Sequence, residues 1–174
     1  MTTSFTTAEI RAAVEVLAFR PLIRLITEID DNGAIPARRL AATLPDLSTH
    51  HLRIAAETAC HHGLVRTTPG TGLELTHRGR ELADVYDVAA RWSRRHSSPA
   101  AVCEFTHRVR HVLGLLALQI SGESAQDPAR PSAVSGTGTA PEPGADPAHV
   151  RVLLLQWLAE NPQLTCLSTS EPLA

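Results

Sequence analysis

Lysine is missing from this chain; all 16 basic residues are arginine. The bias reads as the mark of a GC-rich genome rather than as a binding requirement. Aromatic residues make up only 3% of the chain. A core must therefore come from Leu, Val, Ile and many Ala, a set that points to a mainly helical protein. Cys60, Cys103 and Cys166 are odd in number and lack metal-type spacing, which argues against a disulfide framework and a zinc site. Three reduced thiols in a cytoplasm are expected. No apolar run is long enough to span a bilayer, so no membrane partner is expected. The segment Met1 to Glu9 has no positive n-region and no apolar h-region, so no signal peptide is expected. A large excess of positive charge is lacking too. At a formal net charge of −2, bulk electrostatics neither supports nor excludes nucleic acid, because a local patch is enough. There is no Gly-rich phosphate loop, no Gly-x-Ser-x-Gly elbow and no His-Glu-x-x-His, so no enzyme, catalytic residue or cofactor is expected.

What is present is helical periodicity. Thr6-Thr-Ala-Glu9 has capping-box spacing ahead of Ile10, Ala13, Val14 and Leu17, predicting a helix over about 7–18. Pro21 opens a second, with Leu22, Leu25, Ile26 and Ile29 on its apolar stripe and Asp31-Asn32-Gly33 at its end. A short helix is predicted from Pro36 to Leu44, then the turn Pro45-Asp46-Leu47. Ser48 caps the next helix, which runs to His62 with Leu52, Ala56 and Ala59 inward and Gly63 as its left-handed end. Residues 64–68 and 73–76 read as two short strands joined by Pro69-Gly-Thr-Gly72. Thr76 caps a long helix bearing Leu82, Val85, Tyr86, Ala89 and Trp92. Another, over roughly 100–121, bears Val102, Phe105, Val109, Val112, Leu116 and Ile120. Gly, Pro, Ser, Ala and Thr dominate 122–146, which reads as a flexible linker. A last helix from Asp146-Pro147 carries Val150, Leu153, Leu154, Trp157 and Leu158 and ends at Asn161-Pro162.

The central stretch carries the functional signal. A helix fits the major groove of B-DNA, and its first turns reach base edges. Here those positions are Ser48, Thr49, His50 and Arg53, each able to hydrogen-bond. Arg53 can offer two bonds to guanine O6 and N7, and Glu57, one turn on, either orients it by an i,i+4 pair or is simply solvated. Arg38 and Arg39 fall on the helix that would cross the phosphate backbone, where contacts position the protein. Arg66, on the first strand, and Arg78, opening the helix after the second, could reach flanking phosphates.

Helix, turn, helix and a two-stranded wing in this order read as a winged helix-turn-helix. The run Leu40…Leu47-Ser-Thr-His-His-Leu52…His62-Gly-Leu-Val-Arg66…Leu75-Thr-His-Arg-Gly-Arg-Glu-Leu82…Trp92 resembles bacterial transcriptional regulators of that fold. The likeness is greatest to the HxlR type, then MarR and PadR, and covers about residues 10–95. It implies a homodimer on a near-palindromic operator in double-stranded DNA. It also implies that the second helix of the motif enters the major groove while the wing touches the backbone or the minor groove. By position this again singles out Ser48, Thr49, His50 and Arg53.

Other clusters have plainer readings. His50-His51 and Cys60-His61-His62 contain metal-type ligands, but neighbours on a helix point about 100° apart. A solvated face is expected, with no metal. Cys103 reads as a small core residue, and His107-Arg108-Val-Arg110-His111 as a basic face that is solvated, extends a DNA footprint or meets an acidic partner.

The expectation is thus a mainly α protein: a winged helix-turn-helix domain over 1–96 with a small two-stranded wing, a helical dimerisation extension over 97–121, a linker over 122–146, and a C-terminal helix and tail over 147–174. That last helix is expected to dock on its own dimer or to recruit a protein partner. The expected function is transcriptional regulation as a DNA-bound homodimer. The alternatives are a winged protein-interaction module without DNA binding, and a ligand- or redox-sensing regulator.

Overall fold

The structure is a computed structural model that describes residues 5–96, 104–123 and 147–164. Val102, Cys103 and Cys166, all but the first two residues of the linker expected over 122–146, and the tail beyond 164 lie outside the described residues.

Helix α1 (Thr7–Leu17) starts at the expected capping box: Glu9 N donates to Thr6 Oγ1 at 3.2 Å, and Thr6 N donates to the Glu9 carboxylate at 2.7 Å. It buries Ile10, Ala13, Val14 and Leu17. Helix α2 (Arg20–Asn32) buries Leu22, Ile23, Leu25, Ile26 and Ile29, and Gly33 ends it at φ +83°. Both stripes follow the 3.6-residue period.

The single helix expected from Pro36 to Leu44 is instead a 3-10 turn, Ala37–Arg39, followed by the four-residue helix α3 (Leu40–Thr43). Pro36 brings no N–H, and within the segment only Leu40 and Leu44 have large apolar side chains to bury. So short a piece gains little from packing, and its first turn tightens to an i→i+3 bond, Arg39 N to Pro36 O at 2.8 Å. Helix α4 (Thr49–His61) is capped by Ser48. Its inward stripe is Leu52, Ala55 and Ala59; Ala56, expected inside, is half-buried, because the face centres one residue earlier.

Strands β1 (Val65–Thr68) and β2 (Gly72–Leu75) form a two-stranded antiparallel sheet, with Val65 opposite Leu75 and Thr68 opposite Gly72. Ile35 adds one bridge to its edge, exchanging two 2.9 Å bonds with Leu73. Helices α5 (His77–His96), α6 (Phe105–Glu123) and α7 (Ala148–Glu160) follow, with a closing 3-10 turn, Pro162–Leu164. Helix α6 buries Val109, Val112, Leu116 and Ile120 as expected, but runs to Glu123 rather than 121. Extending a formed helix fixes one residue for one more bond, so its end overshoots the apolar stripe.

The molecule is therefore mainly helical with one small sheet. Helix α2 sits centrally, against α4, α5 and β2; α5 packs on α6 and α7, and α1 on α6. Tyr86, fully buried on α5, donates to the carbonyl of Leu17 at the end of α1, 2.8 Å away. Burial raises the phenol's pKa, so it stays a donor. Tyr86→Phe leaves that carbonyl without this donor and is expected to cost about 1–2 kcal/mol, read from urea unfolding. A cost near zero would show that the bond adds nothing to the ring's packing.

Helix α7 turns Val150, Leu154, Trp157 and Leu158 inward and lies on α5 of its own chain. Among the described residues no helix is long and apolar enough to cross a membrane.

Candidate nucleic-acid interface

The turn between α3 and α4 is held from below and from the side. Leu44 and Leu47 are buried, and Leu47 N donates to Leu44 O at 3.1 Å. Asp46, between them, is gripped by α2: Arg24 reaches its two carboxylate oxygens at 3.3 Å each, and Arg20 reaches one at 3.1 Å. The guanidinium of Arg24 holds the Asp46 carboxyl below the usual aspartate range. A negative charge in this turn is thereby compensated within the protein.

The sheet is fastened to α4 and α5 by short-range devices. Leu64 N donates to Ala59 O at 2.8 Å, and Gly63 between them has φ +65°. Thr76 Oγ1 donates to Gly63 O at 2.6 Å and accepts from Gly79 N at 3.2 Å, so one hydroxyl closes the end of α4 and opens α5. Gly79 rests against the carbonyl of Leu64, where any Cβ would collide. The Leu-Thr-x-x-Gly-x-x-Leu pattern at 75–82 thus has a physical content: cap, close approach and core contact.

On this frame Ser48, Thr49, His50 and Arg53 are all exposed on the first turns of α4. Ser48 Oγ accepts from His51 N at 3.2 Å, and the His50 and His51 rings lie 6.0 Å apart. Arg53 Nη1 donates to both carboxylate oxygens of Glu57 at 2.9 and 3.1 Å, as its spacing suggested. Their side chains are 59% and 61% exposed. Such a pair is worth only about 0.3–0.5 kcal/mol, so a competing acceptor can open it.

Arg38 and Arg39 are exposed in the 3-10 turn, and among the described residues neither has an ion-pair partner. The Ile35–Leu73 bridge sets the start of that turn beside β2. Arg66 is exposed on β1, but Glu74 lies opposite it in register and accepts its Nε–H at 2.6 Å. Arg66 in turn lowers the Glu74 pKa. The hairpin tip, Thr68 to Gly72, has no charged side chain.

Arg78 does not join this group. Its guanidinium lies by the far end of α4, 3.8 Å from where a Cβ on Gly63 would sit. That is about 20 Å along the helix axis from Thr49 at 1.5 Å per residue. Its carbonyl is occupied by the Trp157 indole N–H at 3.2 Å.

Several residues that shape the site carry no local signal. Arg20 and Arg24 lie more than twenty positions before Asp46, and an ion pair of that separation is invisible to any periodicity. Ile35 looks like a loop residue until Leu73 is beside it. His50-His51 and His61-His62 form ring contacts, and Cys60 is an exposed free thiol. Among the described residues no group of three or more His, Cys, Asp or Glu is arranged to hold a metal ion. No family model, curated protein or solved structure matches the chain.

Proposed function

We propose that this chain is a winged helix-turn-helix protein that binds double-stranded DNA and regulates transcription from an operator, acting in the cytoplasm on the nucleoid. The observation that carries the reading is the exposed start of α4, with Ser48, Thr49, His50 and Arg53 together, and the exposed Arg38 and Arg39, without an ion-pair partner among the described residues, on the turn that starts at the edge of the small sheet. In this reading α4 lies in the major groove, Arg53 reads guanine, and Arg38 and Arg39 hold phosphates. Arg66 serves as a weaker backbone contact, since Glu74 must first release it. Arg78 drops out of the DNA face.

The functional unit is a homodimer on a near-palindromic site, with its two α4 helices about one DNA turn apart. Helices α1 and α6 supply its contacts; Leu118 on α6 is 71% exposed and borders a cleft lined by Val14 of α1 and by Ala18, the residue that caps it.

A second reading has its own support. Arg53 and Arg66 are both neutralised within the protein, and the hairpin tip is uncharged. Those features suit a protein-docking module of the same fold.

Salt dependence separates the two. Fluorescence anisotropy on duplexes selected from sheared genomic DNA should show affinity falling steeply with salt. Arg38→Ala with Arg39→Ala should flatten the log–log slope by about 1.8, at ~0.9 per phosphate contact. No binding at low salt, or a slope the double variant leaves unchanged, would move the function to protein docking.

A further inference from the structure

The C-terminal unit meets the end of α4 at a seam that is unusual in one respect. His62, the C-cap of α4, is 3% exposed, and Asn161, the C-cap of α7, is 1% exposed. Both bury a polar atom that has no hydrogen-bond partner among the described residues, His62 Nδ1 and Asn161 Oδ1. Buried polar atoms in folded proteins nearly always have partners, so an unpaired one calls for a reason. Two hydrogen bonds fasten α7 and its closing turn to the rest of the chain here: Gln163 Nε2 to His62 O at 3.1 Å and Trp157 Nε1 to Arg78 O at 3.2 Å. The backbone of His62 is therefore an anchor for the C-terminal unit, while its ring is buried and unsatisfied.

Among the described residues no carboxylate pairs with that ring. From α4, His61 stacks edge-on at 5.0 Å. From α5, the Arg78 guanidinium lies beside Gly63, the next residue. From the C-terminal side come Gln163 and Asn161, both uncharged. The acids nearest in sequence, Glu57 and Glu74, pair with Arg53 and Arg66, while Glu81 and Glu160 line the cleft between α5 and α7, where Glu81 pairs with His77.

We propose that this seam is a proton-operated clasp, in which protonation of His62 releases α7 and its closing turn from the end of α4. Burial, with His61 adding to it, holds the His62 pKa below the ordinary 6.5. The sign follows from linkage. The clasped state binds the proton less readily than the open one, so clasping is unaffected above the open-state pKa and weakens as pH falls below it. The weakening reaches about tenfold for each unit between the two pKa values.

The test uses the full chain and wild-type protein first. NMR should show the His62 imidazole titrating below about pH 6.5, with the Trp157 indole N–H resonance moving in the same step. Over the same range, hydrogen exchange corrected for intrinsic rates should speed up in α7 by at least about threefold relative to α1. A Trp157 resonance that stays fixed while His62 titrates would overturn the clasp, as would α7 and α1 losing protection together. His62→Gln should abolish the pH dependence of α7 and His61→Gln should retain it; a dependence that survives His62→Gln overturns the assignment. Should His62→Gln fail to fold, the wild-type NMR result decides alone.

Discussion

Gly79→Ala is expected to lower the stability of the folded chain by about 3 kcal/mol, a fall of roughly 6–12 °C in Tm for a chain of this size. The cause is local. Gly79 sits in the first turn of α5, where its Cα lies over the carbonyl of Leu64 and beside the Leu75 side chain. Backbone cannot move aside as a flexible side-chain end can, so a single methyl forces α5 away from the strand. The same step carries Thr76, whose hydroxyl serves both Gly63 and Gly79, so the displacement also strains that cap. Gly114, in the middle of α6, provides the contrast: nothing lies within 4 Å of a Cβ there. Gly114→Ala should stabilise the protomer by about 0.5–1 kcal/mol through helix propensity and reduced freedom of the unfolded chain. Thermal or urea unfolding of the two variants checks both signs. Equal, small effects would mean that the end of α4 and the start of α5 are not in the close contact described.

Arg53→Ala is expected to weaken specific DNA binding by about 1–3 kcal/mol, or about 5- to 150-fold, while leaving the fold nearly untouched. The second half follows from exposure: an open i,i+4 pair contributes only a few tenths of a kcal/mol. The first half follows from geometry. Arg53 projects from the second turn of α4 with Glu57 as its present acceptor, and guanine O6 and N7 would replace that acceptor with two. Glu57→Gln should act in the opposite direction on any duplex, since it removes a carboxylate from the face proposed to meet DNA. A competition assay against mutated operators checks the pair. Were Arg53→Ala to weaken all sequences equally, Arg53 would be a phosphate contact and the specificity would lie with Thr49 and His50.

Local chemistry made much of this fold legible. The capping box at Thr6–Glu9, the Ser48 cap, the left-handed Gly63 and the Pro69–Gly72 turn are decided by residues within a few positions of one another, and each is present in the structure. The apolar stripes of α1, α2 and α6 were equally readable, because a 3.6-residue period reports one buried face whatever covers it. Failures came where burial was thin or shared. The segment from Pro36 to Leu44 has too little apolar surface to impose a regular helix, and in alanine-rich α4 the choice between Ala55 and Ala56 depends on where α2 lies.

At the candidate site, local chemistry is enough to say which groups α4 displays: a polar first turn on a helix whose other face must be buried leaves Ser48, Thr49, His50 and Arg53 outside. Tertiary structure decided which arginines are free to act. Arg38 and Arg39 have no ion-pair partner among the described residues, Arg66 is matched by Glu74 only through strand register, and Arg78 is carried to the far end of α4 by the close approach at Gly79. It also decided that Arg20 and Arg24 would compensate Asp46, and that α7 would return to cover His62. Periodicity and capping act over a few residues, and sequence shows them directly. Ion pairs and docking across tens or a hundred positions depend on how the chain folds back, which only the packed core fixes.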